Sequence, residues 1–149
     1  HRGMAANSPW PCDFGPDLSR GFRALKTWFT IKAYGARKLG RIIYRSCSLA
    51  QYMQSCIKEN PELELLAPVA LNIVCFRYRC ENSDEVNAAI VAELQRSGVA
   101  APSTTTIREQ LAIRAALVNH RTKSCDIDTL LRAVLQIGRS LRGRERHAA

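Results

Sequence analysis

Asn60-Pro61 divides the sequence into two parts that have different hydrophobic periods. Before this dipeptide, apolar residues recur every three to four positions, as on the buried side of an α-helix; after it, short alternating and continuous apolar runs take over. Proline cannot continue a helix, and it disfavours the helical conformation of the residue before it. The sequence therefore predicts a helical segment followed by a mixed α+β segment.

The helical segment is predicted as two helices that meet at Gly35. In the first, residues 19–35, basic residues interrupt an apolar stripe, and Asp17 or Ser19 is placed to cap the first turn. Gly35 gives the chain a place to bend. The second helix, residues 36–58, places these apolar residues on one face: Leu39, Ile42, Ile43, Leu49, Met53, Cys56 and Ile57.

The segment after residue 61 is predicted to contain four strands and two helices. The predicted strands span 62–66, 71–78, 99–106 and 111–118, with a turn at 108–110, and the predicted helices span 82–97 and 126–141. Asn82 and Glu85 form a capping-box-like pair, and Gly98 ends the first of these helices. This order of elements predicts an α+β fold with a small, mainly antiparallel sheet and helices on one face.

The formal net charge of +9 is large for 149 residues. Two basic groups stand out, Arg37, Lys38, Arg41 and Arg45, and Arg139, Arg142, Arg144 and Arg146. Basic groups of this kind can bind nucleic acid, an acidic membrane surface or an acidic surface on another domain, or they can simply face solvent. Nucleic acid is disfavoured because the aromatic residues, 7% of the chain, are not interleaved with the basic ones. No membrane-spanning segment is expected, since no run of eighteen apolar residues occurs.

The six cysteines show no C-x-x-C pair and no histidine at metal-ligand spacing. They are interpreted as reduced thiols of a cytoplasmic protein, in preference to a disulfide framework, and no metal site is predicted. Residues 1–18 lack a long apolar stretch, so no secretory signal is expected there. This irregular lead is rich in proline, glycine and small polar residues, and a flexible basic tail is expected at residues 144–149.

Arg114 is the leading candidate for a functional side chain. Alternation in strand 111–118 places it on the face opposite Leu111, Ile113, Ala115 and Leu117. A buried arginine there needs an anionic partner, and its planar guanidinium suits a carboxylate. From spacing alone, a structural ion pair with an acidic residue is the favoured interpretation.

Other polar residues carry weaker functional predictions. Ser103, Thr104, Thr105 and Thr106 form a hydroxyl-rich run that suits a polar cleft, although a solvated strand face is the favoured interpretation. His120, Ser124 and Asp126 offer the residue types of a catalytic triad, but they lie within one loop region and are not expected to converge. Arg20 and Arg23 are expected either to bridge two domains or to pair with nearby acids. No catalytic residue is assigned.

Two neighbouring segments resemble a known family. They are residues 9–16, PWPCDFGP, and residues 18–29, LSRGFRALKTWF. They resemble the junction between the large and C-terminal domains of the group II amino-acid decarboxylases, which use pyridoxal 5'-phosphate (PLP) and act on aromatic amino acids, histidine or glutamate. The likeness continues through Tyr34-Gly35, residues 72–77 and residues 111–128.

The resemblance implies that this chain is the C-terminal part of such an enzyme, with the small domain of fold-type I PLP enzymes at residues 61–143. Residues 19–60 are then the helical junction to an upstream large PLP-binding domain. The resemblance also implies a homodimer, a small amino-acid substrate, and an arginine at position 114 that faces the active site and contacts the substrate carboxylate. Aromatic members have the same arginine, so it does not identify the substrate.

The sequence lacks the parts that would hold the cofactor. PLP enzymes bind PLP as a Schiff base on a lysine, and none of the five lysines has the family's His-Lys context. No glycine-rich phosphate loop is visible either. The fragment alone is therefore expected to be inactive as a carboxy-lyase. The alternative function is a small basic α+β module that binds nucleic acid or another protein.

Overall fold

The computed structural model describes the backbone of residues 21–148 and the side chains of residues 21–143. Outside these ranges lie several features predicted above: the irregular lead at 1–18, the caps Asp17 and Ser19, the junction residue Arg20, Cys12, and the side chains of the basic tail at 144–149. The chain divides into two compact units, residues 1–39 and residues 40–149.

The first helix, α1, spans Arg23–Glu59 and contains one non-helical residue, Gly35. Gly35 has φ 72° and ψ 150°, a region of conformational space that is almost confined to glycine. The predicted break at Gly35 is therefore confirmed, although the helix begins at Arg23 and not at Ser19. In the unit of residues 40–149, Ala50, Met53 and Ile57 of α1 are buried in the hydrophobic core.

A four-stranded antiparallel sheet and two further helices complete the described chain. The elements are β1 (Leu63–Leu65), β2 (Ile73–Tyr78), α2 (Ser83–Ser97), β3 (Ser103–Ile107), β4 (Gln110–Ala116) and α3 (Ser124–Ala148). The strand order is β1-β2-β4-β3, and every neighbouring pair is antiparallel. The predicted α+β class and the predicted order of elements are confirmed.

The core lies between one face of the sheet and the helices. Along β2, Val74, Phe76 and Tyr78 are fully buried, whereas the residues between them are more exposed. The register pairs Phe76 with Ile113, so β4 contributes to the same face. Apolar residues of α2 and α3 belong to the same buried cluster; they are Val86, Ile90, Val91, Leu94, Ile127, Leu130, Leu131 and Val134. The prediction of helices on one face is confirmed.

Several element boundaries differ from the prediction, and the largest differences are in β3, β4 and α3. β3 begins at Ser103 and not at residue 99, because Pro102 has no N–H for the ladder and its carbonyl accepts from Gln95 Nε2 at 2.7 Å. β4 ends at Ala116, two residues early. α3 starts at Ser124 and continues to Ala148, so the predicted end at Leu141 is wrong.

The ends of α2 give one wrong and one confirmed prediction. Asn82 is the N-cap residue, but its side chain makes no capping hydrogen bond, so the predicted capping box is wrong. Its φ of −92° and ψ of 52° lie outside the extended conformation in which a cap side chain reaches the first turn. At the other end, Gly98 is left-handed, and its N–H bonds to the Gln95 carbonyl, as predicted.

Two side chains of α2 bond to the backbone where β2 and β4 stop pairing. Asn87 is fully buried; its Oδ1 accepts from the Tyr78 N–H at 2.8 Å, and its Nδ2 donates to the Tyr78 carbonyl at 2.9 Å. Asp84 Oδ1 accepts from the Leu111 N–H at 3.0 Å. The last ladder pair between the strands is Phe76 with Ile113. Helix side chains therefore replace strand partners at this end of the sheet.

An ion pair connects α3 to the segment before β1. Arg139 Nε donates to both carboxylate oxygens of Glu62 at 3.1 Å, and the Tyr78 hydroxyl donates to Glu62 Oε2 at 3.1 Å. The Arg139 guanidinium, followed by the Tyr78 hydroxyl, holds the pKa of Glu62 below its usual value of 4.5. Because the folded state favours the ionised carboxylate of Glu62, this ion pair contributes fully to the free energy of unfolding at pH values above the ordinary pKa of 4.5. The contribution decreases as the pH falls below that value.

We therefore expect Glu62→Gln to remove part of the acid sensitivity of folding. Wild-type stability should decline between pH 5 and pH 3 more steeply than that of the variant. At pH 7 the variant should lose only a little stability, because the pair is exposed to solvent. Urea unfolding across this pH range measures both effects, with Glu93→Gln, which breaks an exposed pair on α2, as the control. Equal acid slopes for wild type and Glu62→Gln would contradict the prediction.

Candidate functional site

The sheet has a second face that does not belong to the hydrophobic core, and we call it the open face. Strand alternation and register assign these residues to it: Ile73, Cys75, Arg77, Ser103, Thr105, Ile107, Gln110, Ala112, Arg114 and Ala116. None of them is in the buried cluster that the strands share with the helices. The open face is thus the side of the sheet where polar and charged residues of β2, β3 and β4 meet.

Arg114 lies near the centre of the open face. It is half-buried, and its strand partners are Cys75 on β2 and Ser103 on β3. Ala112 and Ala116 are its neighbours on β4 along the same face. All four of these neighbours have small side chains.

The arginines of this sheet differ in their partners. Arg77 forms an ion pair with Glu64, and Arg79 Nε lies 3.5 Å from the same carboxylate. The Arg114 guanidinium has no hydrogen bond or ion pair with any residue that the structure describes. The structural ion pair that spacing alone favoured is therefore absent from residues 21–143. A half-buried guanidinium without a carboxylate is a suitable site for an external anion.

The thiol beside Arg114 has a pKa above its ordinary value. Burial raises the pKa of Cys75, and the positive charge of Arg114 offsets only part of that increase. Cys75 is one of five unpaired cysteines in the described chain. Its position next to Arg114 is a consequence of strand register. Sequence spacing gave no signal of it, since 38 residues separate the two positions.

Alternation divides the hydroxyl-rich run of β3 between the two faces of the sheet. Ser103 and Thr105 lie on the open face, opposite Arg114 and Ala112, whereas Thr104 and Thr106 lie on the other face, opposite Ile113 and Leu111. The run is therefore not one polar patch. Only Ser103 is adjacent to Arg114 across the strands.

The candidate triad residues do not assemble. Asp126 Oδ2 accepts from the backbone N–H of Lys123 at 2.8 Å, which satisfies a free donor at the start of α3. The structure shows no hydrogen bond between any two of His120, Ser124 and Asp126. Asp126 therefore acts as a helix-capping residue. This agrees with the expectation that the three residues do not form a triad.

The lysines of the chain do not fit a site that holds PLP as a Schiff base. All five are exposed: Lys26, Lys32, Lys38, Lys58 and Lys123. Two of them pack over aromatic rings, with Lys32 Nζ 5.8 Å from the Trp28 ring and Lys38 Nζ 4.8 Å from the Tyr34 ring. A cofactor lysine would need an enclosed site with partners for the ring and phosphate.

Two properties limit the kinds of site that the described chain contains. None of its helices is both long enough and apolar enough to cross a membrane. Residues 21–148 also contain no group of three or more histidine, cysteine, aspartate and glutamate side chains arranged to hold a metal ion.

Comparisons with known proteins point to one family. A sequence model described as "Pyridoxal-dependent decarboxylase conserved domain" matches residues 10–79. The chain is 33% identical over 114 residues to aromatic-L-amino-acid decarboxylase from Bacillus atrophaeus, an alignment that covers 72% of this chain and 24% of that protein. It is 29% identical over 110 residues to histidine decarboxylase from Rattus norvegicus, covering 74% of this chain and 16% of that protein.

Solved structures extend the likeness to the sheet. The glutamate decarboxylase domain of a transaminase and L-2,4-diaminobutyrate decarboxylase from Vibrio parahaemolyticus matches with a TM-score of 0.72 and 26% identity, over 78% of this chain and 26% of that one. A TDC from Oryza sativa, solved with PLP and tryptamine, shares the fold with a TM-score of 0.76 and 22% identity, over 87% of this chain and 29% of that one.

The chain spans about a quarter or less of the length of the curated relatives quoted above. The junction motif, the matching sequence model and the shared fold agree with one another. This chain belongs to the pyridoxal-dependent decarboxylase family, and it corresponds to a portion of such a protein.

Proposed function

We propose that the whole protein is a PLP-dependent L-amino-acid decarboxylase, a carboxy-lyase, and that this chain covers one side of the active-site cleft with its open face. The names of the relatives support the reaction class. On this proposal the chain is not catalytic alone, since its lysines do not fit the cofactor. PLP is held by the remaining part of the protein, where it supplies the electron-withdrawing ring that this reaction class requires.

Arg114 is the observation that carries the proposal for the site. Its guanidinium is half-buried among small side chains and lacks a carboxylate partner among the described residues. An amino-acid substrate brings a carboxylate, and two parallel N–H···O bonds from a guanidinium fix the orientation of that group. Arg114 therefore binds and orients the substrate carboxylate, and it does not transfer a proton.

The described residues of the unit 1–39 support a large protein partner. Six large apolar side chains are exposed there: Phe22 (73%), Leu25 (38%), Trp28 (53%), Phe29 (56%), Ile31 (47%) and Tyr34 (55%). Exposed apolar groups at this density are typical of a surface that another polypeptide covers. We assign that role to the upstream PLP-binding domain, within a homodimer.

A cytoplasmic location belongs to the same proposal, since unpaired cysteines suit a reducing compartment.

A chimera tests the proposal. The matching part of the Bacillus atrophaeus aromatic-L-amino-acid decarboxylase is replaced by this chain, and release of carbon dioxide is measured with PLP present. We expect a folded chimera with decarboxylase activity. In it, Arg114→Gln should lower kcat/KM by roughly 10- to 100-fold, because a charged hydrogen-bonded contact to the substrate is lost. Arg114→Lys, which keeps the charge without the planar fork, should recover part of that loss.

The matched control is Arg96→Gln, which removes an exposed arginine that pairs with Glu93 on α2. This variant should leave kcat/KM unchanged. A folded chimera that binds PLP but releases no carbon dioxide would contradict the decarboxylase assignment. An active chimera in which Arg114→Gln behaves like Arg96→Gln would contradict the role of Arg114 alone.

A further inference from the structure

The sheet has two edges, and they differ in how they are protected. Among residues 21–148, the order β1-β2-β4-β3 leaves β1 and β3 each with one unpaired side. β1 has only three residues, follows Pro61, and carries Glu64, which is paired with Arg77. Short length, proline and charge are the usual means by which proteins prevent an edge strand from pairing with another chain.

β3 is less protected than β1: Pro102 directly precedes it, as Pro61 precedes β1, but the strand itself is longer and uncharged. Its five residues, Ser-Thr-Thr-Thr-Ile, include no charge and no proline, and they pair with β4 without an interruption in register. Four of the five are β-branched, which favours the extended conformation. An uncharged, regular edge strand of this kind is a template for another strand.

The hairpin turn determines which backbone groups of β3 are free. Arg108 and Glu109 form a two-residue loop with φ values of 50° and 63°, as in a type I′ turn. Ile107 and Gln110 then form the hydrogen-bonded pair that closes the loop, and such pairs recur at every second position. Ser103, Thr105 and Ile107 therefore bond to β4. The N–H and C=O groups of Thr104 and Thr106 face away from the sheet.

We propose that β3 pairs antiparallel with β3 of a second copy of this chain, about a twofold axis at Thr105. In this register Thr104 of one copy lies opposite Thr106 of the other. Their outward N–H and C=O groups then form four hydrogen bonds, two on each side of the axis. Each Thr105 faces its own counterpart in a non-hydrogen-bonded pair. Two four-stranded sheets become one sheet of eight strands.

The composition of β3 favours a second copy over another partner. Threonines occupy the three central positions, so the twofold register places threonine against threonine at these positions and Ser103 opposite Ile107 at each end; threonine pairs across strands stabilise sheets. β3 carries no charged residue that would favour a partner strand of opposite charge. The nine basic residues that account for the net charge lie in residues 18–58, which contain no acidic residue, so the rest of the chain is balanced in charge. Repulsion between copies is therefore small at this edge.

The association should be weak, because one strand pair covers a small area. Sedimentation velocity of the 149-residue chain across a range of concentrations measures it, and amide hydrogen exchange of the same samples locates it. We expect a monomer–dimer equilibrium. The Thr104 and Thr106 amides should exchange more slowly as the concentration rises, whereas amides of β1 should not change.

Thr105→Lys is the decisive variant, since it places two like charges directly opposite each other at the axis. We expect the dimer dissociation constant to rise at least about tenfold. Thr105→Val, which keeps the β-branched shape without charge, should retain the dimer. Ala88→Lys adds the same charge at an exposed position of α2 and should also retain it.

Two results would overturn the proposal. One is a chain that stays monomeric at every concentration with unprotected Thr104 and Thr106 amides. The other is a dimer that Thr105→Lys does not weaken, with the same two amides unprotected, which would assign the dimer to another surface such as the aromatic helix of residues 22–34. Circular dichroism of each variant verifies that the fold is retained, and the exchange measurement on the unsubstituted chain does not depend on any variant.

Discussion

Asn87→Ala is expected to lower the free energy of unfolding by about 3 kcal/mol, because it leaves both backbone groups of Tyr78 buried without partners. Asn87 is 0% exposed, and besides its two bonds to Tyr78 its Nδ2 donates to the Ser83 carbonyl at 2.6 Å. The Tyr78 N–H and C=O face the side where β4 has already diverged, so no strand can replace the lost amide. Equilibrium unfolding in urea, followed by circular dichroism, measures the loss.

Asn82→Ala provides the matched control on the same helix. Asn82 is the N-cap residue but makes no side-chain capping bond, so its removal should change stability by less than about 0.5 kcal/mol. Asn87→Asp is informative as well, because a carboxylate accepts from the Tyr78 N–H but has no donor for the Tyr78 carbonyl. A loss below about 1 kcal/mol for Asn87→Ala would show that this end of the sheet does not depend on the amide.

Gly138→Ala is expected to lower the free energy of unfolding by about 2 kcal/mol. A Cβ at this position of α3 would lie 2.8–2.9 Å from three ring atoms of Tyr78, whose side chain is fully buried. Overpacking of this kind costs about 1–3 kcal/mol, here at the upper end because the ring cannot move away, and the better helix propensity of alanine returns about 1 kcal/mol. Denaturant unfolding of the variant measures the net effect.

Gly40→Ala is the control for helix propensity, since no atom of the described residues lies within 4 Å of a Cβ at Gly40. It should stabilise the chain by about 0.5–1 kcal/mol, a change of opposite sign. In a Tyr78→Leu background, Gly138→Ala should cost much less, because the smaller side chain leaves room for the methyl group. Equal effects of Gly138→Ala in both backgrounds would show that the ring does not set the approach of α3.

Much of the architecture is visible in the sequence because it depends on local preferences. The break at Gly35, the end of α2 at Gly98 and the turn near Arg108 each follow from the backbone conformations that a few residues can adopt. The failures are also local. Asn82 has the right residue type for a capping box, but its backbone conformation does not present the side chain, and residue type alone does not determine that conformation.

The candidate site was only partly visible. Strand alternation placed Arg114 away from the core, and this holds in the structure. Its neighbours Cys75 and Ser103 were not identified, because they depend on the register of three strands that are distant in sequence. Register is fixed by packing of the buried face and by the hairpin turn, neither of which a single strand reveals. The role of Arg114 toward a substrate remains a proposal for the chimera to test.

The elements, their order, the α+β class and the family can be predicted from the sequence alone, because hydrophobic period, turn residues and the junction motif are properties of short segments. Three features are seen only in the tertiary structure: the Asn87 side chain bonds to the Tyr78 backbone where no strand pairs with it, the Tyr78 ring packs directly against Gly138, and β3 is an uncharged edge strand. These features depend on distances between segments far apart in the chain. Such distances are set by the close packing of the whole core, where a single methyl group is enough to change them.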